Sequence, residues 1–332
     1  MSKNVLIIGG CGFIGHNLAV FLKKKNFKVT IVDSLSVNNY FSLKKSNNNK
    51  NKKFYLKILK ERQKILESHK IRLIIDDARN YHSITRIITE TRPNYVIHLA
   101  AVAHANVSNK DPYSTFDHSM RTLENSLDAC RSLKYLKRFI YLSSSMVYGQ
   151  FKKRTLEEKD ICNPLGIYAS LKYGSEKLVV GYNQVFKLPY TIIRPSALYG
   201  ERCVSGRVIQ KFIEAALKNE PVQINGNGKE YIDFTYIDDL INGIYLSMIK
   251  SKGKNEIFNL TYGKSRSLIE LLKIVKFYIP KIKIKYTKRD KLIPYRGTLS
   301  VKKAEKLIGY KAKYPIETGV KKLISWYENS GF

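Results

Sequence analysis

A tyrosine four residues before a lysine puts a phenol and an ammonium on one helix face. The cation lowers the pKa of the phenol and makes it a usable base toward a hydroxyl proton. The chain offers four such pairs: Tyr40/Lys44, Tyr148/Lys152, Tyr168/Lys172 and Tyr173/Lys177. With 23 Tyr among 332 residues and 44 Lys to pair with, chance alone supplies about 3. Spacing therefore selects nothing, and position must. Tyr168/Lys172 opens a helix-patterned run after the turn Asn163-Pro164-Leu165-Gly166, and it follows a strand-like run that ends in Ser143-Ser144-Ser145. A serine at that strand end can hydrogen-bond a substrate oxygen and the phenol.

A second chemical signal lies near the first residue. Gly9-Gly10-Cys11-Gly12-Phe13-Ile14-Gly15 follows a β-branched run and opens an amphipathic one. Glycines let a backbone turn tightly and approach a pyrophosphate, and the helix N-terminus behind them offers unpaired N–H groups. Asp33 lies 18 residues after Gly15, at the end of the next strand-like run. A carboxylate there binds a ribose 2′-hydroxyl and repels a 2′-phosphate, which favours NAD over NADP.

The elements that must hold these residues are legible as alternation. Hydrophobic patterning predicts strands at 5–8, 29–32, 71–75, 95–99, 138–143 and 191–193. Helices are predicted between them at 14–25, 54–67, 83–91, 115–133 and 169–186. Such alternation implies an α/β fold: a Rossmann-type, doubly wound parallel sheet with its ligand crevice at the carboxyl ends of the strands. Beyond Arg194 the pattern is irregular, with helices predicted at 208–218, 240–248 and 268–278 and a closing piece opening at 301–307. The division expected is 1–193 for dinucleotide binding and 194–332 for a smaller α/β substrate-binding cap, some of whose segments return to the first domain.

Composition narrows the partners. The chain carries 59 Lys+Arg against 27 Asp+Glu, a formal charge of +32, yet it is 44% hydrophobic. Whole-chain disorder is excluded. Lys dominates the charge, and its densest stretch, 44–53 (KKSNNNKNKK), reads as a solvated loop or flexible insertion. Specific nucleic-acid surfaces lean instead on Arg with interleaved aromatics. The charge is therefore expected to be a solvated surface whose field attracts anionic substrates, with nucleic acid an unlikely partner. The four cysteines, Cys11, Cys130, Cys162 and Cys203, form no C-x-x-C pair, so no metal site is expected and a reducing compartment fits. No apolar run reaches the ~18 residues of a membrane helix, and the opening residues do not read as a signal peptide; a cytoplasmic protein is expected. Trp326, His98 and His104 read as packing or loop residues, and Cys11 as a space-filler in its loop.

Taken in order, Gly9–Gly15, Asp33, His98-Leu99-Ala100-Ala101, 143–149 (SSSMVYG), Tyr168–Lys172 and Arg194-Pro195 resemble the extended short-chain dehydrogenases/reductases. The resemblance runs from Val5 to about Tyr327. Within that family the chain looks like the nucleotide-sugar epimerase/dehydratase branch, of the UDP-glucose 4-epimerase type, whose members serve polysaccharide biosynthesis. The resemblance implies Tyr168 as base, Lys172 as its activator and Ser144 as the active-site hydroxyl. It implies NAD held by Gly9, Gly12, Phe13, Ile14, Gly15, Asp33, Asp77, Ala78, Leu99, Ala100, Ala101 and Pro195, besides Tyr168 and Lys172. A nucleotide-diphosphate sugar would meet Ser144, Ser145 and Met146, with Arg207 and Arg296 on its diphosphate. It also implies a homodimer through the 115–133 helix and the Tyr168 helix.

Similar dehydratases carry Asp-Glu directly after the active-site hydroxyl residue, and similar uronate decarboxylases carry Glu two residues after it. Here those positions are Ser145 and Met146. Neither is a carboxylic acid, so elimination lacks its acid/base group. What survives is a 4-epimerase, or a one-way C4 dehydrogenase or reductase. A non-catalytic NAD- or RNA-binding protein is a third class, opposed by the intact Ser144/Tyr168/Lys172 set. Three positions depart from the family pattern: Ser119 and Ala197 stand where Asn is usual, and Ile232 where many members have Arg.

Overall fold

In a computed structural model the described residues are 3–37, 39–45, 50–103, 105–289 and 292–332. His104 and the centre of the 44–53 run, 46–49, lie outside them. The chain forms two compact units. The first comprises Met1–Ser143, Gly166–Ile193 and Ile244–Ile257; the second comprises Ser144–Leu165, Arg194–Gly243 and Phe258–Phe332.

The first unit is built on a sheet. Its strands are β1 (Asn4–Ile8), β2 (Lys28–Asp33), β3 (Arg72–Ile75), β4 (Tyr95–His98), β5 (Arg138–Leu142), Tyr190–Arg194 and Glu256–Asn259. They lie in the order Glu256–Asn259, Tyr190–Arg194, β5, β4, β1, β2, β3. Pairing is parallel from Tyr190–Arg194 through to β3. The order reverses between β1 and β4, the switch point where doubly wound sheets bind ligands. Patterning beyond Arg194 points only to helices, so the strand at Glu256–Asn259 is an addition. Asn255 N donates to Tyr190 O at 2.7 Å, and Thr191 Oγ1 to Gly253 O at 2.6 Å, fixing the returning segment to the sheet.

The helices are α1 (Phe13–Lys24), α2 (Tyr40–Lys45), α3 (Lys52–Ser68), α4 (Tyr81–Thr91), α5 (Ala105–Lys110), α6 (Pro112–Phe116), α7 (Thr122–Cys130) and α8 (Ile167–Phe186). One face of the sheet packs Leu6, Ile8, Val96, Phe139 and Ile192 against Ile84, Ile87 and Ile88 of α4, Leu123 and Leu127 of α7 and Val179 of α8. A sheet covered on both faces has strands that read as continuous apolar runs, which is why these were visible in the sequence.

Two expectations change. The 44–53 run is not a loop throughout, since Lys44 and Lys45 end α2 and Lys52 and Lys53 begin α3. Lysines at a helix C-terminus complement its dipole, which suits those of α2. The single 115–133 helix is instead α6, a π-turn at Asp117–Arg121, and α7, ending at Cys130. Patterning cannot see one wide turn, because it shifts the apolar face by only one residue.

The second unit holds the helices Val208–Leu217, Leu268–Tyr278, Lys302–Ile308 and Ile316–Ser330. Short ribbons join them: Val222–Asn225 pairs in parallel with Ile284–Thr287, and Thr155–Leu156 with Thr298–Leu299. Leu268–Tyr278 opens with a capping box, in which Ser267 Oγ accepts from Glu270 N and Glu270 accepts from Ser267 N. That motif fixes the helix start.

Candidate active site

The glycine loop links β1 to α1. Gly9 has φ +81°, and a Cβ there would lie 2.6 Å from Ala100 N. A Cβ on Gly15 would lie 2.5 Å from Gly10 Cα. These two glycines are therefore required by the protein's own packing, one against the end of β4 and one inside the loop. Gly12 differs: its nearest neighbour, Gly9 O, would be 3.5 Å from a Cβ. The bare Gly12 backbone leaves approach room rather than avoiding a clash. No side chain caps α1 at Gly12, so the N–H groups of Phe13, Ile14 and Gly15 face outward from the first turn. These features suit a pyrophosphate.

Asp33 ends β2 and turns toward the loop. Its Oδ2 accepts from Cys11 N and its Oδ1 from Leu35 N, both at 2.8 Å. Burial pushes its pKa up, while those N–H groups and Arg62 act the other way. Arg62 on α3 is 2% exposed and donates to Cys11 O at 3.5 Å. Sequence reading had placed no function on it. Its signal is the spacing Ile58, Leu59, Arg62, Leu66, which sets a cation in the apolar stripe of α3. Burial also pushes the Cys11 thiol well up, so it is inert, as a space-filler should be.

The next loops at the carboxyl end of the sheet converge on the same region. Leu99 N donates to Ile8 O at 2.8 Å, which seats Leu99–Ala101 beside Gly9. Val102 N donates to Ser119 Oγ at 3.3 Å, so the serine in place of the family's asparagine holds this loop from the π-turn. After β3, Asn125 Nδ2 donates to Ala78 O at 3.0 Å and to Arg79 O at 2.9 Å, pinning Asp77-Ala78 to α7. Burial pushes the Asp77 pKa up, and the Arg79 hydrogen bonds and charge outweigh it, so the carboxyl sits below its ordinary value. Arg79 Nη2 meets Asp77 Oδ2 at 2.7 Å and its Nη1 meets Asp117 Oδ2 at 2.9 Å.

Exposure chooses among the four tyrosine–lysine pairs. Lys44, Lys152 and Lys177 are exposed, whereas Lys172 is buried. Tyr148 is itself 1% exposed and donates to Asn259 Oδ1 at 2.8 Å while accepting from Arg194 Nη1 at 2.9 Å. That network occupies its phenol. Tyr168 sits half-buried in the first turn of α8, one turn before Lys172. Asn109 Oδ1 accepts from Ile167 N at 3.2 Å and anchors the helix start. Lys172 Nζ donates to Leu142 O at 2.7 Å and stands 4.9 Å from the centre of the Tyr141 ring. Burial pushes its pKa down to about 8, and Glu176 opposes that shift. Tyr168 lies one turn before this ammonium on the same helix, and a cation near a phenol acidifies it. His98, at the end of β4, is 1% exposed and packs on Phe139 and Tyr141, as expected of a packing histidine.

The other residues singled out in the sequence lie in the second unit. Ser144 begins a short 3-10 turn, Ser145–Tyr148, and its Oγ accepts from Met146 N at 3.2 Å. Ser145 N donates to Pro195 O at 2.9 Å, so the serine turn and the Arg194-Pro195 corner are held together. Gly149 has φ +64°, and a Cβ would meet Asn163 O at 1.8 Å, which explains the glycine after Val147-Tyr148. Arg207 precedes the helix Val208–Leu217, and its buried Nε has no hydrogen-bond partner among the described residues. Burial first, and then the Arg207 charge, push the Arg296 guanidinium down to about 10. Two like charges within mutual influence, with no carboxylate paired to either among the described residues, would be stabilised by an anionic group. Ile232 is buried and pairs with Arg266 across an antiparallel ribbon, where an arginine would have to be buried too.

Comparison with known proteins bears on the family and the fold. Residues 5–261 match a family model described as the NAD dependent epimerase/dehydratase family. A putative UDP-glucose 4-epimerase of Methanocaldococcus jannaschii is 29% identical over 330 residues, covering 98% of this chain and 99% of that one. A dTDP-D-glucose 4,6-dehydratase of Dictyostelium discoideum is 31% identical, covering 78% of this chain and 58% of that one. Among solved structures, the UDP-glucose 4-epimerase of Thermotoga maritima with UDP-glucose superposes with a TM-score of 0.85 at 26% identity, covering 99% of this chain and 100% of that chain.

Proposed function

Because the chain belongs to the NAD dependent epimerase/dehydratase family, we propose that it is an NAD-dependent nucleotide-sugar 4-epimerase. One observation carries the reading: of four tyrosine–lysine pairs, only Tyr168/Lys172 joins a half-buried phenol to a buried ammonium tied to the strand that leads into Ser144. Gly9, Gly12, Phe13, Ile14, Gly15, Asp33, Asp77, Ala78, Leu99, Ala100, Ala101 and Pro195 would hold NAD, with Asp33 toward the adenosine ribose. Bound there, NAD supplies reversible oxidation at C4 of the sugar. Tyr168 takes the 4-hydroxyl proton and later gives it back. The Lys172 ammonium stabilises the phenolate that Tyr168 is before it takes this proton and again after it gives the proton back. Ser144 hydrogen-bonds the oxygen at C4 in both the alcohol and the 4-keto sugar. Arg207 and Arg296 hold the diphosphate, which fixes one end of the substrate while the keto sugar turns over between the two half-reactions.

The dehydratase relative favours a second reading, elimination across C5 and C6. Ser145 and Met146 oppose it, since neither provides a carboxylic acid beside Ser144. A one-way dehydrogenase or reductase uses the same Tyr168 chemistry and differs in exchanging its cofactor each turnover.

A homodimer also belongs to this reading. Tyr113 and Phe116 on α6 and Val185 and Phe186 on α8 expose 86%, 48%, 70% and 41% of their surface, an apolar outlay that a helix-to-helix interface would cover. Among the described residues no helix is long and apolar enough to cross a membrane. The four cysteines are free thiols, which suits a cytoplasmic enzyme supplying polysaccharide biosynthesis.

The assignment of the base is tested by Tyr168→Phe, expected to lower kcat about 10²–10⁴-fold while leaving NAD-induced thermal stabilisation intact. Tyr173→Phe is expected to retain near-normal turnover. Equal activity of the two variants, or loss in Tyr173→Phe alone, defeats the assignment.

A further inference from the structure

The mechanism above makes no use of Glu176, a 2% exposed carboxylate on α8. Tyr168, Lys172 and Glu176 recur every four residues and share one helix face. The Glu176 carboxylate accepts a hydrogen bond from Ser143 Oγ. Lys172 Nζ donates to the carbonyl of Leu142, the residue before. One face of α8 therefore grips two consecutive residues at the end of β5, the first by a cation on its backbone and the second by an anion on its side chain. A buried, isolated ionised group is strongly disfavoured. Two opposite charges one helical turn apart offset that cost for each other.

The other groups facing Lys172 are the Tyr141 ring of β5, His98 of β4 and, through Tyr141, Tyr168 on its own helix. His98 is held neutral by burial and then by the Lys172 charge. Glu176 is thus the carboxylate whose charge bears on Lys172. It also bears on Tyr141 and on Tyr190 of the neighbouring strand, both of which are pushed up by burial.

Resting on the roles given above to Tyr168 and Lys172, we propose that Glu176 is a positioning residue that keeps Lys172 in its ammonium form and locks the end of β5 through Ser143. Without the Glu176 charge, burial would act on Lys172 unopposed. Its ammonium would be lost at lower pH, and with it the field that acidifies Tyr168. A carboxylate that merely filled space would have no such dependence on pH.

Glu176→Gln keeps the shape and removes the charge. The ¹³Cε signal of Lys172, assigned by its loss in Lys172→Arg, is titrated in the intact protein without substrate. The wild-type midpoint is expected near 8, that of Glu176→Gln about one unit lower, and that of Glu176→Asp close to wild type. With those midpoints kcat of Glu176→Gln falls about fivefold at pH 8 and less than about 1.2-fold at pH 6, with KM unchanged. An unmoved Lys172 midpoint in Glu176→Gln, or an equal loss of kcat at both pH values, overturns the proposal. Should Glu176→Gln not fold, Glu176→Asp carries the test, and a midpoint a full unit below wild type overturns it. A lowered midpoint in a protein that turns over no nucleotide sugar upholds the role of Glu176 and defeats the functional reading. A working epimerase with an unmoved midpoint does the reverse.

Discussion

In the proposed mechanism Lys172 is the residue on which the chemistry turns, because burial makes its charge conditional. An ammonium pushed down to about 8 serves Tyr168 only below that pH. Its neighbour His98 is conditional in the opposite direction. Burial, aided by the Lys172 charge, pushes its imidazole down to about 3, against about 6.5 in the unfolded chain. Its contribution to stability is complete above pH 6.5 and is lost as pH falls toward 3, because only the unfolded chain takes up the proton. Between pH 6.5 and 5 that loss is about 2 kcal/mol. His98→Gln is expected to flatten this interval in urea unfolding, and an undiminished acid loss would show that His98 is not its source. How far such residues were legible depends on what identifies them. Gly9 and Gly15 were readable because a Cβ at either would meet backbone, and Asp33 because it ends the next strand, where its carboxylate meets Cys11 N. Glu176 and Arg62 were not, because their importance comes from burial, and 27 acidic and 59 basic residues hide one of each.

At the scale of elements the account rests on short turns as much as on strands. Ala197 follows the Arg194-Pro195 corner with φ +34°, a left-handed backbone that L-residues other than Asn and Asp avoid. Its carbonyl accepts from Thr235 N at 3.3 Å, so the turn is fixed by the ribbon beside it. Ala197→Asn is expected to raise stability by about 0.5–1 kcal/mol, read as an increased thermal midpoint; a lowered midpoint would show that the conformation carries no strain that Asn relieves. The π-turn at Asp117–Arg121 is the other local departure. It places Ser119 Oγ on Val102 N, inside the helical run that patterning drew as continuous. The strands of the sheet were visible because burial on both faces writes them as apolar runs. Glu256–Asn259 was not, because Glu and Asn close a four-residue strand with only Ile257 and Phe258 between them. Such a strand is specified by its neighbours, as Asn255 on Tyr190 shows.

For the whole molecule, the charge of +32 was the most conspicuous number and proves the least specific. The lysines of the rejected pairs are exposed, as are Lys281 and Lys283 just before the Ile284–Thr287 strand and Lys285 within it, where charge discourages edge pairing. Within that background the informative cations are few: Lys172 on its strand end, Arg62 beneath the glycine loop, and Arg207 with Arg296. They suit a substrate that carries its anion in one place rather than a polyanion. The central claim is that C4 of a nucleotide sugar is oxidised and reduced again within one site. UDP-glucose deuterated at C4, incubated with the protein and catalytic NAD in ordinary water, tests it most directly. The account predicts UDP-galactose that retains its C4 deuterium, with no net absorbance change at the NADH wavelength. C4 hydrogen drawn from solvent, or NADH accumulating in step with a keto product, would contradict it.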